Sequence, residues 1–425
     1  MKILNLVLVA ALLGLPAVAQ VDSAPFLQNS GVFNPLDYGA DPTGATDCAP
    51  AFNAMLAAIG TSRQVEVFIP PGQYRLASRI TFTAPSGTER FGLAVRGGGQ
   101  DATELRVDND VGGFFFDCNA VDLARVNLSD LTFVAERTNI AGAVRFEIAE
   151  ANTSEDRQFC VENVYVTSPI HTSSNYFHTA FDVQNAWGPR FCNVHVRKQG
   201  PYSDPTRWPV YGIRMRDCRA PVIKDTHINK VQNAVVHVKD DWVAGDGIVV
   251  NCYLVGNDRA LDLQFRTPSD GWPKPQFHID NCHFNYDRIG VNAVGVRQLH
   301  ISHVLFYCGE RGGSSWYNDG SEVVDVDPID INLEYVNSVT IDHNLFVEPS
   351  SPRRRAIQVS SDSSYVLIDG NHFNMEGTAV YNESSGEVHS INNMFGGMNG
   401  DFTGGGAWLT RYTDTTGSVQ IDDLN

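Results

Sequence analysis

Val339-Thr340-Ile341-Asp342-His343-Asn344-Leu345-Phe346 is the stretch on which the fold turns, because it recurs. Its order is apolar, any, apolar, any, an Asp/Asn/His-like residue, a small or polar residue, any, then Phe. The same order returns at Val126 to Phe133 (VNLSDLTF), Phe277 to Phe284 (FHIDNCHF), Leu299 to Phe306 (LHISHVLF) and Val366 to Phe373 (VLIDGNHF). A further copy, Val388 to Phe395 (VHSINNMF), reads as slipped by one position. The alternation at the head of each copy describes a short strand that buries one face and shows the other.

A second kind of strand precedes the copies, opening on a small residue and then alternating. Ala143 to Phe146, Ala180 to Val183, Gly212 to Met215, Val235 to Val238, Ala260 to Leu263, Gly290 to Ala293, Pro328 to Ile331 and Ala356 to Val359 form this series. The period of roughly 23 to 38 residues is that of a solenoid. A five-residue strand cannot bury its face alone, so successive turns must stack into one continuous core. Equivalent strands then run parallel, about 4.8 Å apart, and crossover handedness selects the right-handed coil. The expected fold is therefore all-β: a right-handed parallel β-helix. A leucine-rich horseshoe needs Leu-x-x-Leu-x-Leu and a propeller needs four strands per unit. A two-sheet sandwich needs Asn-Gly or Asp-Gly hairpins between these strands, and they are missing.

Stacking makes equivalent inward residues pile up. Asn344, Asn371 and Asn393 are expected to form an amide ladder. Cys252 and Cys282 fall in one column of consecutive turns, at a spacing that suits either a disulfide or two stacked thiols.

The chain has 425 residues, with 31 Lys plus Arg against 49 Asp plus Glu and a net charge of -18. That balance excludes nucleic acid as a partner, since phosphate binding needs a basic face. Apolar residues at 43% exclude wholesale disorder. Lys2, the apolar Ile3 to Leu15 and the small-residue site Ala17-Val18-Ala19 describe an export signal over 1–19, placing the mature protein outside the cytoplasm, secreted or periplasmic. After cleavage no membrane attachment is expected. The remainder divides into an N-terminal cap with the first coils (20–110) and the repetitive β-helix with its C-terminal end (111–425). The eight cysteines contain no C-x-x-C pair, against a zinc or redox site.

Ahead of the repeats stands Leu36-Asp37-Tyr38-Gly39-Ala40-Asp41-Pro42-Thr43-Gly44-Ala45-Thr46-Asp47, then a short helix at Ala49 to Ile59, then Val65 to Leu76 with Pro71-Gly72-Gln73-Tyr74. This opening resembles that of the pectate-lyase superfamily, whose members begin with D-Y-G-A-x-x-D-G-x-T-D, a capping helix and a P-x-G-x-Y strand. Here Gly44 stands one position later than in that pattern. Physically the segment makes a cap: Asp47 starts the helix, and Phe52, Met55, Leu56 and Ile59 cover the open end of the coil. The resemblance implies an extracellular polysaccharide as partner. It spans polysaccharide lyases, polygalacturonase-like hydrolases and phage tailspike depolymerases, and so allows a monomer or a homotrimer.

A β-helix binds extended polymers on a stacked sheet face, so outward positions of the second strand series carry the candidate site. One column reads Arg145, Asp182, Arg214, His237, Asp262, Asn292, Asp330 and Gln358. A second, two residues on, reads Glu147, Gln184, Arg216, Lys239, Gln264, Asn332 and Ser360. Arg214, Arg216, His237 and Lys239 would form a basic cluster in an acidic chain. β-Elimination on a uronate polymer needs a cation to neutralise the carboxylate and a base to remove the C5 proton. Arg214 and Arg216 suit the first role, Lys239 or His237 the second. Asp182, Asp262, Asn292 and Asp330 would line the substrate. Related lyases often use calcium, for which Asp182 and Asp262 are candidate ligands, although no calcium-loop motif is present.

Two rival functions are open. Hydrolysis would use the Asp262 and Asp330 pair, two rungs apart in one column. Asp240-Asp241 resembles the paired aspartates of polygalacturonases, but their Asn-x-Asp, Gly-His-Gly and Arg-Ile-Lys motifs are absent. A non-catalytic glycan-binding β-helix would instead stack sugars on Tyr202, Trp208, Trp272, Trp316 and Tyr317.

Overall fold

A computed structural model of the chain describes residues 31–62, 64–87, 90–149, 158–169, 174–198, 208–239, 246–265, 275–308, 327–347, 354–396, 409–416 and 419–422. The expected export segment, Tyr202, Asp240-Asp241, Trp272, Trp316 and Tyr317 lie outside the described residues.

The chain coils as a right-handed parallel β-helix. Each full coil gives one strand to each of three sheets that run along the axis. Arg190–Cys192, His195–Arg197 and Tyr211–Arg216 make one coil. Val222–Lys224, His227–Asn229 and Asn233–Lys239 make the next, each parallel to its counterpart. In some coils two strands run through the corner without a break, as in Tyr253–Phe265 and His283–Val294.

The fifth position of the repeat explains itself in the backbone. Asp130, Asn163, Asn193, Asp225, Asn251, Asn281, His303, His343 and Asn392 all have φ between +50° and +59°, and Gly370 takes the same place. One left-handed residue turns the chain from the first sheet into the second. Asn, Asp and His tolerate that conformation better than other side-chain-bearing residues. The Val388 copy is not slipped: Val366 pairs with Val388, and Asn392 occupies the corner. Its irregularity is Ser390, an inward residue that meets the Tyr412 hydroxyl at 2.9 Å instead of packing as an aliphatic.

Inside, the ladders form as the repeat requires. Asn344 Nδ2 donates to Asn371 Oδ1 at 3.0 Å, and Asn371 Nδ2 to Asn393 Oδ1 at 3.0 Å. The same amides also donate to the carbonyls of Ile301 and Ile341. The final Phe of the repeat stacks through Phe306, Phe346, Phe373 and Phe395, with centroids 4.9, 4.7 and 5.3 Å apart. Cys252 and Cys282 do share a column, as stacked free thiols: the Cys252 N–H donates to Cys282 Sγ at 3.4 Å.

Helix α1 (Ala49–Ile59) closes the N-terminal end. Asp47 Oδ1 accepts from the Ala49 N–H at 3.0 Å and ties it to Ala77, while Phe52 packs against Tyr74 and Phe114. Among the described residues no helix is long and apolar enough to cross a membrane.

Asn371→Ala removes the oxygen that accepts from both the Asn344 N–H and the Asn344 side-chain amide in a dry core. Urea unfolding should show a loss on the order of 1–3 kcal/mol, with the β-sheet circular dichroism of the native state retained.

Candidate active site

The candidate groups stand on the third sheet, whose register decides which of them meet. Its first outward column runs Arg145, Asp182, Arg214, Val236, Asp262, Asn292, Asn332 and Gln358. Its second runs Glu147, Gln184, Arg216, Val238, Gln264, Val294 and Glu334. Two expected positions are thereby corrected on one strand. His237 aligns with buried Met215 and is itself 0% exposed, its Nε2 3.1 Å from the Cys218 carbonyl oxygen and its ring against Phe265 and Phe277. Lys239 aligns with Phe265 and is likewise buried. The small residue that opens the repeat in this strand is Ala234, which backs directly onto Gly212, and not Val235. In the run Ala-Val-Val-His-Val no polar alternation marks the start, and a one-residue shift exchanges the faces.

Asp330 is corrected for the same reason. It stands in the small-residue column between Gly290 and Ala356 and is fully buried. Arg354 neutralises it there, with Nε 2.8 Å from Oδ1 and Nη2 2.6 Å from Oδ2, and the Tyr286 hydroxyl also donates to it. Burial pushes the Asp330 carboxyl up and Arg354 opposes that shift. An aspartate locked in the core cannot flank a glycosidic bond beside Asp262, so the proposed hydrolytic pair does not exist. Trp208, expected as an exposed sugar-stacking ring, is buried as well.

What the sheet does bring together is Asp182, Arg214 and Arg216. Arg214 donates to Asp182 through Nε (3.0 Å) and Nη2 (2.9 Å), and Arg216 Nη2 stands 3.4 Å from the same carboxylate. Two guanidinium groups share one carboxylate, which leaves a net positive charge at the surface. Two residues absent from the expected site complete it. The Arg214 guanidinium lies over the Tyr211 ring at 5.0 Å, and the His178 ring meets Tyr211 edge-on at 5.8 Å. His178 Nδ1 is 3.0 Å from Thr179 Oγ1. Burial and then the Arg214 charge hold His178 below its ordinary value, keeping the imidazole neutral, while Asp182 works the other way. Arg214 is raised: burial opposes its charge, but its bonds to Asp182 outweigh that. A base kept neutral beside a fixed cation can accept a proton, and Tyr211 is placed to donate one.

His178 and Tyr211 precede the small-residue starts at Ala180 and Gly212. The alternating pattern gives no sign there, because the strands begin at Phe177 and Tyr211, three residues and one residue further back than it indicates. The available signal was the recurrence of polar or aromatic residues just ahead of consecutive small ones.

Beside these groups opens a cleft of about 710 Å³, bordered by His178, Tyr211, Asn233, Arg259, Val236 and Val238. Asp262 lines its far side, accepting from Arg259 Nη1 (3.1 Å), Gln264 (2.9 Å) and Asn292 (2.8 Å), and Asn332 donates on to Asn292 at 2.8 Å. Asp182 and Asp262 are three rungs apart and each already holds a guanidinium, so they do not fit a shared calcium ion. Among the described residues no three His, Cys, Asp or Glu side chains converge to hold a metal.

The family model described as rhamnogalacturonase A/epimerase, pectate lyase-like, matches residues 32–312. The chain belongs to this pectate-lyase-like family. It is 28% identical over 136 residues to mannuronan C5-epimerase AlgE3 of Azotobacter vinelandii, covering 29% of this chain and 7% of that protein. The family member thus matches only a small part of that curated relative. In three dimensions it resembles the A-module of Azotobacter vinelandii mannuronan C-5 epimerase AlgE4, at 13% identity and a TM-score of 0.62, over 92% of this chain and 100% of the module. It also resembles the catalytic unit of a GH87 alpha-1,3-glucanase from Streptomyces thermodiastaticus, at 13% identity and a TM-score of 0.55, over 94% of this chain and 69% of that unit. At such identities these two likenesses establish the shared β-helix.

Asp330→Ala strands Arg354 in the core and should cost about 3–5 kcal/mol in chemical denaturation. Adding Arg354→Met to Asp330→Ala should recover part of that loss, which an independent role for either residue would not allow.

Proposed function

We propose that this protein is exported and modifies an extracellular uronate polysaccharide by removing the proton at C5 of a uronate residue. The observation that carries the reading is that the neutral His178 and Tyr211 line one cleft, with the Asp182-held Arg214 lying over the Tyr211 ring. The C5 proton becomes acidic only when negative charge on the adjoining carboxylate is neutralised. Arg214 and Arg216 supply that neutralisation and stabilise the enolate. Asp182 fixes both guanidinium planes without cancelling their combined charge. His178 takes the proton, and Tyr211 returns one to the product.

The enolate has two exits. Expulsion of the O4 substituent is β-elimination and yields an unsaturated chain end. Reprotonation at C5 from the opposite face is epimerisation, and similarity to mannuronan C5-epimerases favours this second exit. Hydrolysis loses its support with the burial of Asp330.

Uronate homopolymers incubated with the protein in D2O separate these outcomes. Ultraviolet absorbance of a new double bond reports elimination. Deuterium at C5 in unbroken chains reports epimerisation. Binding with neither signal overturns the catalytic reading, and action confined to neutral polysaccharides overturns the uronate. Arg214→Ala and His178→Ala should each cost about two to three decades in rate with the fold retained.

The pH profile tests His178 separately. Its depressed value means the base form persists below the ordinary 6.5 and is lost only as pH falls further. The acid limb of kcat/KM should therefore lie below 6.5. In Arg214→Gln the residual activity should show that limb displaced to higher pH, because a charge that disfavours the imidazolium is gone.

A further inference from the structure

The second sheet, which includes His195–Arg197 and His227–Asn229, turns outward with a composition unlike that of the third sheet beside the cleft. Its first outward column runs over ten rungs, from Thr132 to Met394, without an Asp, Glu, Lys or Arg. The column two residues on, from Val134 to Gly396, contains one of these, Arg197. Over the same coils the third sheet turns out Arg145, Asp182, Arg214 and Asp262 in one column and Glu147, Arg216 and Glu334 in the other. A protein of net charge -18 thus keeps one face almost free of charge.

Five consecutive rungs of the first column carry rings: Tyr165, His195, His227, Tyr253 and His283. Successive centroids lie 6.2, 5.9, 6.1 and 5.9 Å apart, with interplanar angles of 77°, 57°, 56° and 65°. The interior phenylalanines instead lie within 6° to 8° of parallel and cover each other's faces. Rings inclined to one another leave face area uncovered, and Tyr253 is 56% exposed. Burial holds His195, His227 and His283 below their ordinary 6.5, so these rings carry no charge at neutral pH. Beside them, at the corner between the first and second sheets, side-chain amides bond from rung to rung. Asn193 Nδ2 donates to Asn163 Oδ1 at 2.7 Å and Asn281 Nδ2 to Asn251 Oδ1 at 2.8 Å. A carboxamide has two N–H donors and two acceptor lone pairs, so these fixed groups keep capacity for hydroxyls.

We propose that this face is a second binding site, for one extended strand of an uncharged polysaccharide whose C–H faces lie on the rings and whose hydroxyls meet the corner amides. Shape and charge select that occupant. Ten rungs by three strand residues make a strip about 43 Å long and about 10 Å wide, an area of about 430 Å². A stable protein interface buries about 800 Å² on each partner, so the strip is too narrow for a second copy of the chain and follows a polymer strand instead. A uronate chain would lay a row of carboxylates on an acidic protein along a strip whose outward columns hold one permanent cation, Arg197. A neutral chain meets no such repulsion. The site stands on a different sheet from the cleft and is independent of the C5-deprotonation reading.

The test is native electrophoresis of the full-length protein through gels containing soluble β-1,4-glucan, β-1,4-mannan, β-1,3-glucan or a uronate homopolymer. At least one neutral polymer should retard the wild type. Tyr253→Ala should weaken that binding about tenfold, and Tyr253→Phe should keep it. His178→Ala, altered in the cleft, should bind as the wild type does. Thermal unfolding checks each variant, and His227→Ala takes the place of Tyr253→Ala if that variant does not fold. Retardation by none of the neutral polymers overturns the site, as does a folded Tyr253→Ala that binds like the wild type. Loss of neutral binding in a folded His178→Ala moves the ligand to the cleft and overturns it too. Tyr253-dependent retardation by the uronate polymer alone overturns the uncharged ligand. Self-association in sedimentation velocity that Tyr253→Ala abolishes gives the strip to a second copy and overturns the proposal. Each of these outcomes leaves the C5-deprotonation reading standing.

Discussion

Each coil can satisfy its backbone only by bonding to the coil before it, in register, one rung along. This parallel rung-to-rung bonding is what the rest of the molecule depends on. Any coil that failed to return to the same place would leave unpaired strand groups and expose an edge. The chain secures the return with a single left-handed residue at one corner, drawn almost entirely from Asn, Asp and His. The amide ladder of Asn344, Asn371 and Asn393 and the stack of phenylalanines are consequences of that registry, and they make slippage costly.

Registry also builds the site. On a stacked sheet, residues distant in sequence become neighbours at rung spacing, so Asp182 meets Arg214 across 32 residues. A carboxylate shared by two guanidinium groups holds them in fixed planes and leaves excess positive charge. Against it His178 remains neutral and Tyr211 lies under the cation. The family match and the structural likenesses share the β-helix scaffold, and the groups described here lie in a few of its outward columns.

Burial of charge marks where the regular pattern is interrupted. Asp330 occupies a column that elsewhere carries Gly or Ala, and it is accommodated by Arg354 and Tyr286 from neighbouring coils. His237 packs among phenylalanines in the same interior. Both are polar residues whose type suggests chemistry and whose surroundings make them part of the core.

The sequence by itself determined the coil, its cap, the inward ladders and the outward placement of Asp182, Arg214, Arg216, Asp262 and Asn292. Strict alternation in Gly-Ile-Arg-Met-Arg or Ala-Leu-Asp-Leu-Gln admits one register only. It could not assign faces in Ala234-Val235-Val236-His237-Val238-Lys239, where four apolar residues precede or flank the polar ones, nor in Pro328-Ile329-Asp330-Ile331. There the start of the strand is decided by which small residue backs onto the neighbouring coil, a packing contact between residues far apart in the chain. His178 and Tyr211 were out of reach for a related reason. Their approach to Arg214 depends on how far each strand extends before its corner, and only the stacked coils decide that.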